Sequence, residues 1–152
     1  MVMVMSKKFI LSVLITMVFG IITARVVYSK TVSDSNTKDG SLVYFLQLGV
    51  YTNEDSMNSD TKNVENKLVI KEDNKYYVYV GISKSKNNLK KISKMYDDLG
   101  YSLYIKEQIV MNREFMVNLE QFDKLLKLAE SEDEVNTVNS VILSSYEEMV
   151  IS

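Results

Sequence analysis

The chain has 152 residues, 46% of them hydrophobic and 25% charged, proportions that exclude wholesale disorder and leave room for one domain with appendages. It contains neither cysteine nor histidine, which excludes disulfide bonds, thiolate or imidazole metal sites, and histidine-based acid–base catalysis. The net charge is −2, and residues 107–152 alone carry ten acidic and three basic side chains. A general nucleic-acid binder would instead show a dense basic stripe.

A short N-terminus, residues 1–8, precedes an apolar segment that is predicted to form a transmembrane helix over residues 9–28. Lys7 and Lys8 stand directly before this segment, and its twenty residues match the thickness of a bilayer core. Arg25 can reach the headgroups from its far end. We expect an uncleaved anchor in the cell membrane, with residues 1–8 in the cytoplasm and the remainder outside. The alternative is a cleaved signal peptide, which exports the remainder equally.

The polar residues 29–41 lack periodicity and are predicted to form a tether. Two stretches that follow, residues 44–53 (YFLQLGVYTN) and residues 76–85 (YYVYVGISKS), match each other when aligned on their glycines. Each alternates along an apolar and aromatic run, breaks at glycine and enters a polar helix start. We therefore predict two half-domains of one design, each a strand followed by a helix.

The sequence predicts a first strand over residues 42–51 and a weakly amphipathic helix over residues 53–68, with Thr52 and Asp55 as a capping box. The next predicted elements are a strand over residues 68–71, a turn at Asp73 and Asn74, a strand over residues 75–82, a helix over residues 86–99 between Ser85 and Gly100, and a strand over residues 101–106. This β-α-β-β-α-β order predicts an α+β, ferredoxin-like sandwich with two helices on one face of a four-stranded sheet.

Residues 108–152 are predicted to form an acidic helical hairpin. Asn118 is expected to cap its first helix, and Ser131 with Glu134 forms a capping box for the second. The apolar stripes of the two helices consist of Leu119, Phe122, Leu125, Leu126 and Ala129, and of Val135, Val138, Ile142, Tyr146 and Met149. These stripes require burial against the sandwich, against each other or against a partner.

Strand alternation also predicts an aromatic sheet face. If Leu46, Leu48 and Val50 point to the helices, the opposite face carries Gln47 surrounded by Phe45, Tyr51, Tyr77, Tyr79 and Tyr104. Rings with hydroxyl groups suit the faces of sugars or bases. The alternative is that the C-terminal hairpin covers this face, so that the tyrosines belong to a second core.

The region of residues 42–107 resembles the SPOR (sporulation-related repeat) domain of bacterial envelope proteins. The residues that carry the resemblance are Phe45, Gln47, Gly49 and Tyr51 in the first half and Tyr77, Val78, Val80, Gly81 and Ser85 in the second. The chain departs from the family pattern at Ile82 and Ser83, where Pro-Phe is frequent, and in its C-terminal hairpin. The resemblance implies binding to peptidoglycan glycan strands at division sites or the forming spore, and it assigns glycan contacts to Phe45, Gln47, Tyr51, Tyr77, Tyr79 and Tyr104.

No catalytic constellation is evident, because carboxylate pairs such as Asp97-Asp98 lie in helical contexts and no glycine-rich phosphate loop occurs. We therefore predict a non-enzyme without cofactor or metal. The first hypothesis is a single-pass membrane protein that presents a peptidoglycan-binding domain outside the cell during division or sporulation. The second is a protein–protein adaptor of the same machinery, in which the hairpin covers the sheet. A third, an RNA-recognition domain, is disfavoured because the third strand lacks arginine and phenylalanine.

Overall fold

The computed structural model describes residues 40–152, which belong to a compact unit of the chain that begins at Lys38. The predicted transmembrane segment over residues 9–28 lies outside the described residues, as do the predicted cytoplasmic N-terminus and most of the predicted tether. Among residues 40–152, no helix is both long enough and apolar enough to cross a bilayer.

The described part contains four strands and four helices, followed by one π-helical turn. In chain order they are β1 (Ser41–Tyr51), α1 (Glu54–Asp60), β2 (Leu68–Glu72), β3 (Lys75–Ser83), α2 (Lys86–Asp97), β4 (Tyr104–Val110), α3 (Arg113–Leu128), α4 (Glu132–Tyr146) and the π-helical turn (Glu147–Ile151). The strands form one antiparallel sheet in the order β2-β3-β1-β4. The predicted α+β class and element order are confirmed, and the two repeated stretches pair as the neighbouring strands β1 and β3.

Several element ends follow from local signals that the sequence analysis identified. Asp73 and Asn74 have φ angles of 49° and 58°, as a two-residue hairpin turn between β2 and β3 requires. The Ser85 side chain caps α2 by accepting a hydrogen bond from the backbone N–H of Asn88. Gly100, with a φ of 75°, follows the end of that helix.

Helix α1 is shorter than predicted and has a different cap. The Asn53 side chain, rather than that of Thr52, accepts the N–H bonds at its start, and the helix ends at Asp60. The next residue, Thr61, is completely buried. Lys67 donates to its carbonyl oxygen at 3.2 Å and to its hydroxyl oxygen at 2.9 Å. These contacts hold the chain in turns where helical spacing alone predicted about two further turns of helix.

Strand β4 is displaced from its predicted position over residues 101–106. It pairs with the N-terminal half of β1, from Ser41 opposite Val110 to Gln47 opposite Tyr104. Strand β4 therefore begins at Tyr104, opposite Gln47, and continues to Val110, opposite Ser41 at the start of β1.

Helix α3 begins at Arg113, before the residue that was predicted to cap it, Asn118. Asn112 is the actual cap, and its side chain accepts a hydrogen bond from the backbone N–H of Phe115 at 2.8 Å. The predicted cap of the following helix is confirmed, since Ser131 accepts from the N–H of Glu134.

A bulge in β3 changes which of its side chains share a face. Leu46 pairs with Gly81, whereas the next residue, Gln47, pairs with Tyr79. Val80 is therefore an extra residue in β3, and alternation restarts on either side of it. The predicted outward position of Gly81 is wrong for this reason.

A second bulge, at Leu48, changes which side chains of β1 share a face. Gln47 and Gly49 pair with consecutive residues of β3, which leaves Leu48 between them without a partner in the register. Residues beyond it are shifted to the opposite face relative to simple alternation. Tyr51 consequently leaves the face of Gln47.

Helices cover both faces of the sheet. On one face, α2 lies so close to Gly81 that a Cβ there would be 3.1 Å from Ile92. On the other, the ring of Phe45 packs edge to face against Tyr146 of α4, with centroids 5.2 Å apart. We call this second side the hairpin face; its buried side chains on the sheet are Val43, Phe45, Gln47, Leu68, Tyr79, Ile82 and Val110.

Asn139 of α4 joins the hairpin to the bulge in β3. Its side chain is completely buried, and its Nδ2 donates to the carbonyl oxygen of Val80 at 2.8 Å. The pairing of β2 with β3 ends at Leu68 and Tyr79, so this carbonyl lies beyond the reach of β2. A buried carbonyl that loses its donor is costly, and Asn139 supplies the donor here.

We expect Asn139→Ala to lower the free energy of unfolding by about 1–3 kcal/mol, because the Val80 carbonyl would stay buried without a donor. Urea denaturation followed by circular dichroism measures the change. Ser144→Ala, at an exposed position of the same helix, should change it by less than about 0.5 kcal/mol. Equal stabilities of the two variants would contradict this role of Asn139.

Candidate functional site

Three of the six predicted glycan-contacting residues, Phe45, Gln47 and Tyr79, are buried under the helical hairpin. The Phe45 ring packs edge to face against Tyr79 at 5.3 Å as well as against Tyr146. Tyr146 continues the chain of rings to Phe115 of α3 at 5.1 Å. In this conformation the three residues form a second core with the hairpin, as the alternative interpretation of the sequence held.

The hydroxyl group of Tyr79 is also engaged. It accepts a hydrogen bond from Nε2 of Gln108 at 3.2 Å. Burial raises the pKa of Tyr79, and burial likewise raises the pKa of Tyr146. Both phenols are therefore harder to ionise than a phenol in water, as expected for groups packed between the sheet and the hairpin.

Polar contacts fix the hairpin to the end of β3, to the loop that follows it and to α2. Asp123 of α3 accepts hydrogen bonds from three groups there, namely the Ser83 hydroxyl, the Lys84 backbone N–H at 2.9 Å and the Asn88 side-chain amide at 3.0 Å. Lys91 of α2 donates to three carbonyl oxygens at the end of α3, those of Leu126, Lys127 and Ala129, at 2.8 to 3.0 Å. A cation at a helix C-terminus also interacts favourably with the helix dipole.

The apolar burial of the hairpin decides whether it can act as a removable lid. Its two helices bury ten large apolar side chains. Each is worth roughly 1.5–3 kcal/mol, so exposing even half of them costs on the order of 8–15 kcal/mol. That equals the whole stability of a typical domain, which is about 5–15 kcal/mol. Opening the hairpin would therefore amount to unfolding, and the buried rings are not accessible to a ligand in the folded state.

Tyr51 lies on the side of the sheet opposite the hairpin. It pairs with Tyr76, whose hydroxyl donates to Glu54 of α1 at 3.4 Å. The bulge at Leu48 reverses the face on which Tyr51 would lie by simple alternation. Tyr51 therefore cannot act together with Tyr77 on one surface.

Part of the hairpin face remains open. Tyr77 lies two residues from Tyr79 in an unbroken stretch of the β2–β3 ladder, so both side chains are on this face. Its cross-strand partners are Val50 of β1 and Ile70 of β2, and paired residues share a face. Val50 is exposed, and Tyr77 and Ile70 are half-buried.

Tyr104 extends this open region across β1 to the far strand. It pairs with Gln47, which places it on the hairpin face, yet 60% of its surface is exposed. Lys106, two residues further along β4, is exposed on the same face. We define the open strip as Val50, Ile70, Tyr77 and Tyr104.

Two members of the open strip, Val50 and Ile70, were not among the residues predicted to bind a ligand. Simple alternation assigned Val50 to the helix-facing side. The signal that could have indicated the reversing bulge is Gly49 beside Leu48, because a glycine inside a strand often marks a bulge. The strip offers apolar area and two phenol hydroxyls. In residues 40–152, no cluster of three or more metal-ligating side chains occurs.

Comparison with known proteins finds similarity to a solved structure. No family model matches the chain, and a search of curated proteins finds no match. Among solved structures, the solution structure of the peptidoglycan binding domain of the B. subtilis cell wall lytic enzyme CwlC is similar, with a TM-score of 0.39 and 20% sequence identity. The aligned region covers 49% of this chain and 99% of that domain.

We expect Phe45→Ala to destabilise the domain by about 3–5 kcal/mol, because it leaves a cavity between the sheet and α4. Tyr104→Ala should cost less than about 1 kcal/mol, since most of that ring is exposed. Urea denaturation of both variants distinguishes a core ring from a surface ring. A mild effect of Phe45→Ala would show that the ring is not part of a closed core.

Proposed function

We propose that this chain is a non-catalytic, membrane-anchored protein of the bacterial cell envelope that binds peptidoglycan glycan strands on the open strip. The observation that carries the proposal is the accessibility of Tyr77 and Tyr104 on a part of the sheet that the hairpin leaves uncovered. The ligand class comes from the resemblance of residues 42–107 to SPOR domains, whose ferredoxin-like arrangement the observed element order supports.

The chemistry of the open strip suits aminosugars. An apolar ring face can stack on a phenol ring, while the phenol hydroxyl reaches the amide and hydroxyl groups at the sugar edge. Val50 and Ile70 flank Tyr77 and extend its apolar surface. Lys106 adds attraction to an anionic wall. With about 0.7–1 kcal/mol from each of these five side chains, the sum of about 3.5–5 kcal/mol corresponds to a dissociation constant in the millimolar to submillimolar range for one site.

The location and role are part of the same proposal. Residues 9–28 would anchor the chain as a single transmembrane helix, residues 1–8 would lie in the cytoplasm, and the domain would lie outside the membrane. Binding of glycan strands there fits a task in cell division or sporulation. The acidic hairpin then serves to close one half of the sheet and to confine the ligand to the other half.

We expect the fragment of residues 38–152 to co-sediment with purified sacculi. The double variant Tyr77→Ala and Tyr104→Ala should bind about tenfold more weakly, because it loses two ring contacts of roughly 0.7 kcal/mol each. Tyr76→Ala is the matched control. It removes the adjacent tyrosine of β3 on the opposite face, so binding should stay at the wild-type level.

Two results would overturn the proposal. One is the absence of retention on sacculi both before and after amidase treatment, which strips the stem peptides. The other is an equal loss of binding in the Tyr76 variant and in the double variant, because binding would then not depend on the open strip.

A second candidate function is a protein–protein adaptor of the division or sporulation machinery. The observation that favours it is the burial of Phe45, Gln47 and Tyr79 beneath the hairpin, which removes half of the aromatic face from any ligand. An adaptor would leave sacculi unbound and would lose its protein partner when the open strip is changed. The sacculus assay therefore separates the two functions.

A further inference from the structure

A second exposed apolar surface lies on the side of the sheet opposite the hairpin. Leu42 of β1 pairs with Ile109 of β4, and Leu46 pairs with Ile105, so these side chains share one face. Helix α2 packs against the sheet at Gly81 of β3, on the other side of β1 from β4. Ile109 is 61% exposed, and Leu42 and Ile105 are exposed as well.

The described chain enters the domain at this surface. A Cβ at Gly40 would collide with the side chain of Ile109 and lie 2.6 Å from the sulfur of Met111. Met111, at the end of β4, is 66% exposed. We define the entry patch as Leu42, Ile105, Ile109 and Met111. It surrounds the point at which residues 1–39 join the domain.

The charged groups beside the entry patch neutralise each other. Glu107 lies between Ile105 and Ile109 on the same face, and Nζ of Lys86 is 3.3 Å from its Oε1. The same Lys86 ammonium sits 4.7 Å above the ring centroid of Tyr44. The surface therefore combines exposed aliphatic side chains with a balanced ion pair, a pattern that tolerates a lipid headgroup region.

We propose that the entry patch docks on the outer surface of the lipid bilayer in which the chain is anchored. This inference rests on the anchoring part of the proposed function. Residues 29–39, eleven in number, separate the predicted anchor from Gly40. Eleven residues span at most about 36–40 Å. Because residues 1–39 join the domain beside the entry patch, this patch is the surface that the proposed anchor would bring toward the bilayer.

A second copy of the chain fits this surface less well. Antiparallel pairing of two β4 edges that sets Ile105 against Ile109 would also set Glu107 against Glu107 of the other copy. Like charges directly opposite each other destabilise a strand pair, and charges in an edge strand disfavour such pairing. A lipid surface imposes no such register.

Tryptophan fluorescence tests the proposal, because the chain contains no tryptophan of its own. The full chain carrying Ile109→Trp is reconstituted into phosphatidylcholine vesicles with or without brominated acyl chains. We expect blue-shifted emission and at least about twofold quenching by the brominated lipid, as for a side chain inserted roughly 5–10 Å into the headgroup and acyl boundary. Met111→Trp, at a second patch position, should behave in the same way.

Leu128→Trp is the matched control, since Leu128 is 74% exposed at the end of α3 and away from the patch. Its emission should remain red-shifted and unquenched. Quenching of the patch variants no greater than that of the control would overturn the proposal. A blue shift without quenching would also overturn it, because the patch would then be buried against protein.

Flotation of the vesicles keeps this test separate from that of the proposed function. If the chain fails to float with the vesicles, the anchor is wrong and membrane docking falls with it. If it floats and the tryptophans remain unquenched, only the docking is wrong. Sacculus binding by residues 38–152 is measured independently of either result.

Discussion

The packing of Phe45 against Tyr146 is the contact on which the rest of the structure depends. It presses the helical hairpin onto one half of the sheet and makes a buried core of a face that the sequence assigned either to a ligand or to the hairpin. Asn139 belongs to the same interface and supplies a hydrogen-bond donor to the bulged Val80 carbonyl. Since the hairpin cannot leave without unfolding the domain, every functional surface has to be sought outside the area that it covers.

Two surfaces remain outside that area, on opposite faces of the sheet. The open strip around Tyr77 and Tyr104 carries phenol rings, which suit a sugar polymer. The entry patch around Ile109 carries aliphatic side chains at the point where the tether joins. The two proposals thus assign the wall and the membrane to different faces of one sheet, so that a single domain would bridge them.

Much of the fold could be predicted from the sequence. The repeat centred on Gly49 and Gly81 correctly indicated two related strands, which are neighbours in the sheet, and the turn at Asp73 and Asn74 and the cap at Ser85 are local signals that hold in the structure. The candidate site was harder to predict, because its faces depend on contacts distant in sequence. Asn139 bonds the bulged Val80 carbonyl from 59 positions away, and Tyr146 covers Phe45 from 101 positions away. Alternation along a strand does not reveal such contacts.

Native-state hydrogen exchange, resolved by residue, tests the central claim most directly. If the hairpin is an integral part of the core, the slowest amides of α3 and α4 open with the same free energy as those of β1 and β3, which is the free energy of global unfolding. Exchange of the hairpin amides at a clearly lower free energy, with the sheet still protected, would contradict the account. It would show that the hairpin opens as a lid and that the aromatic face beneath it is available to ligands.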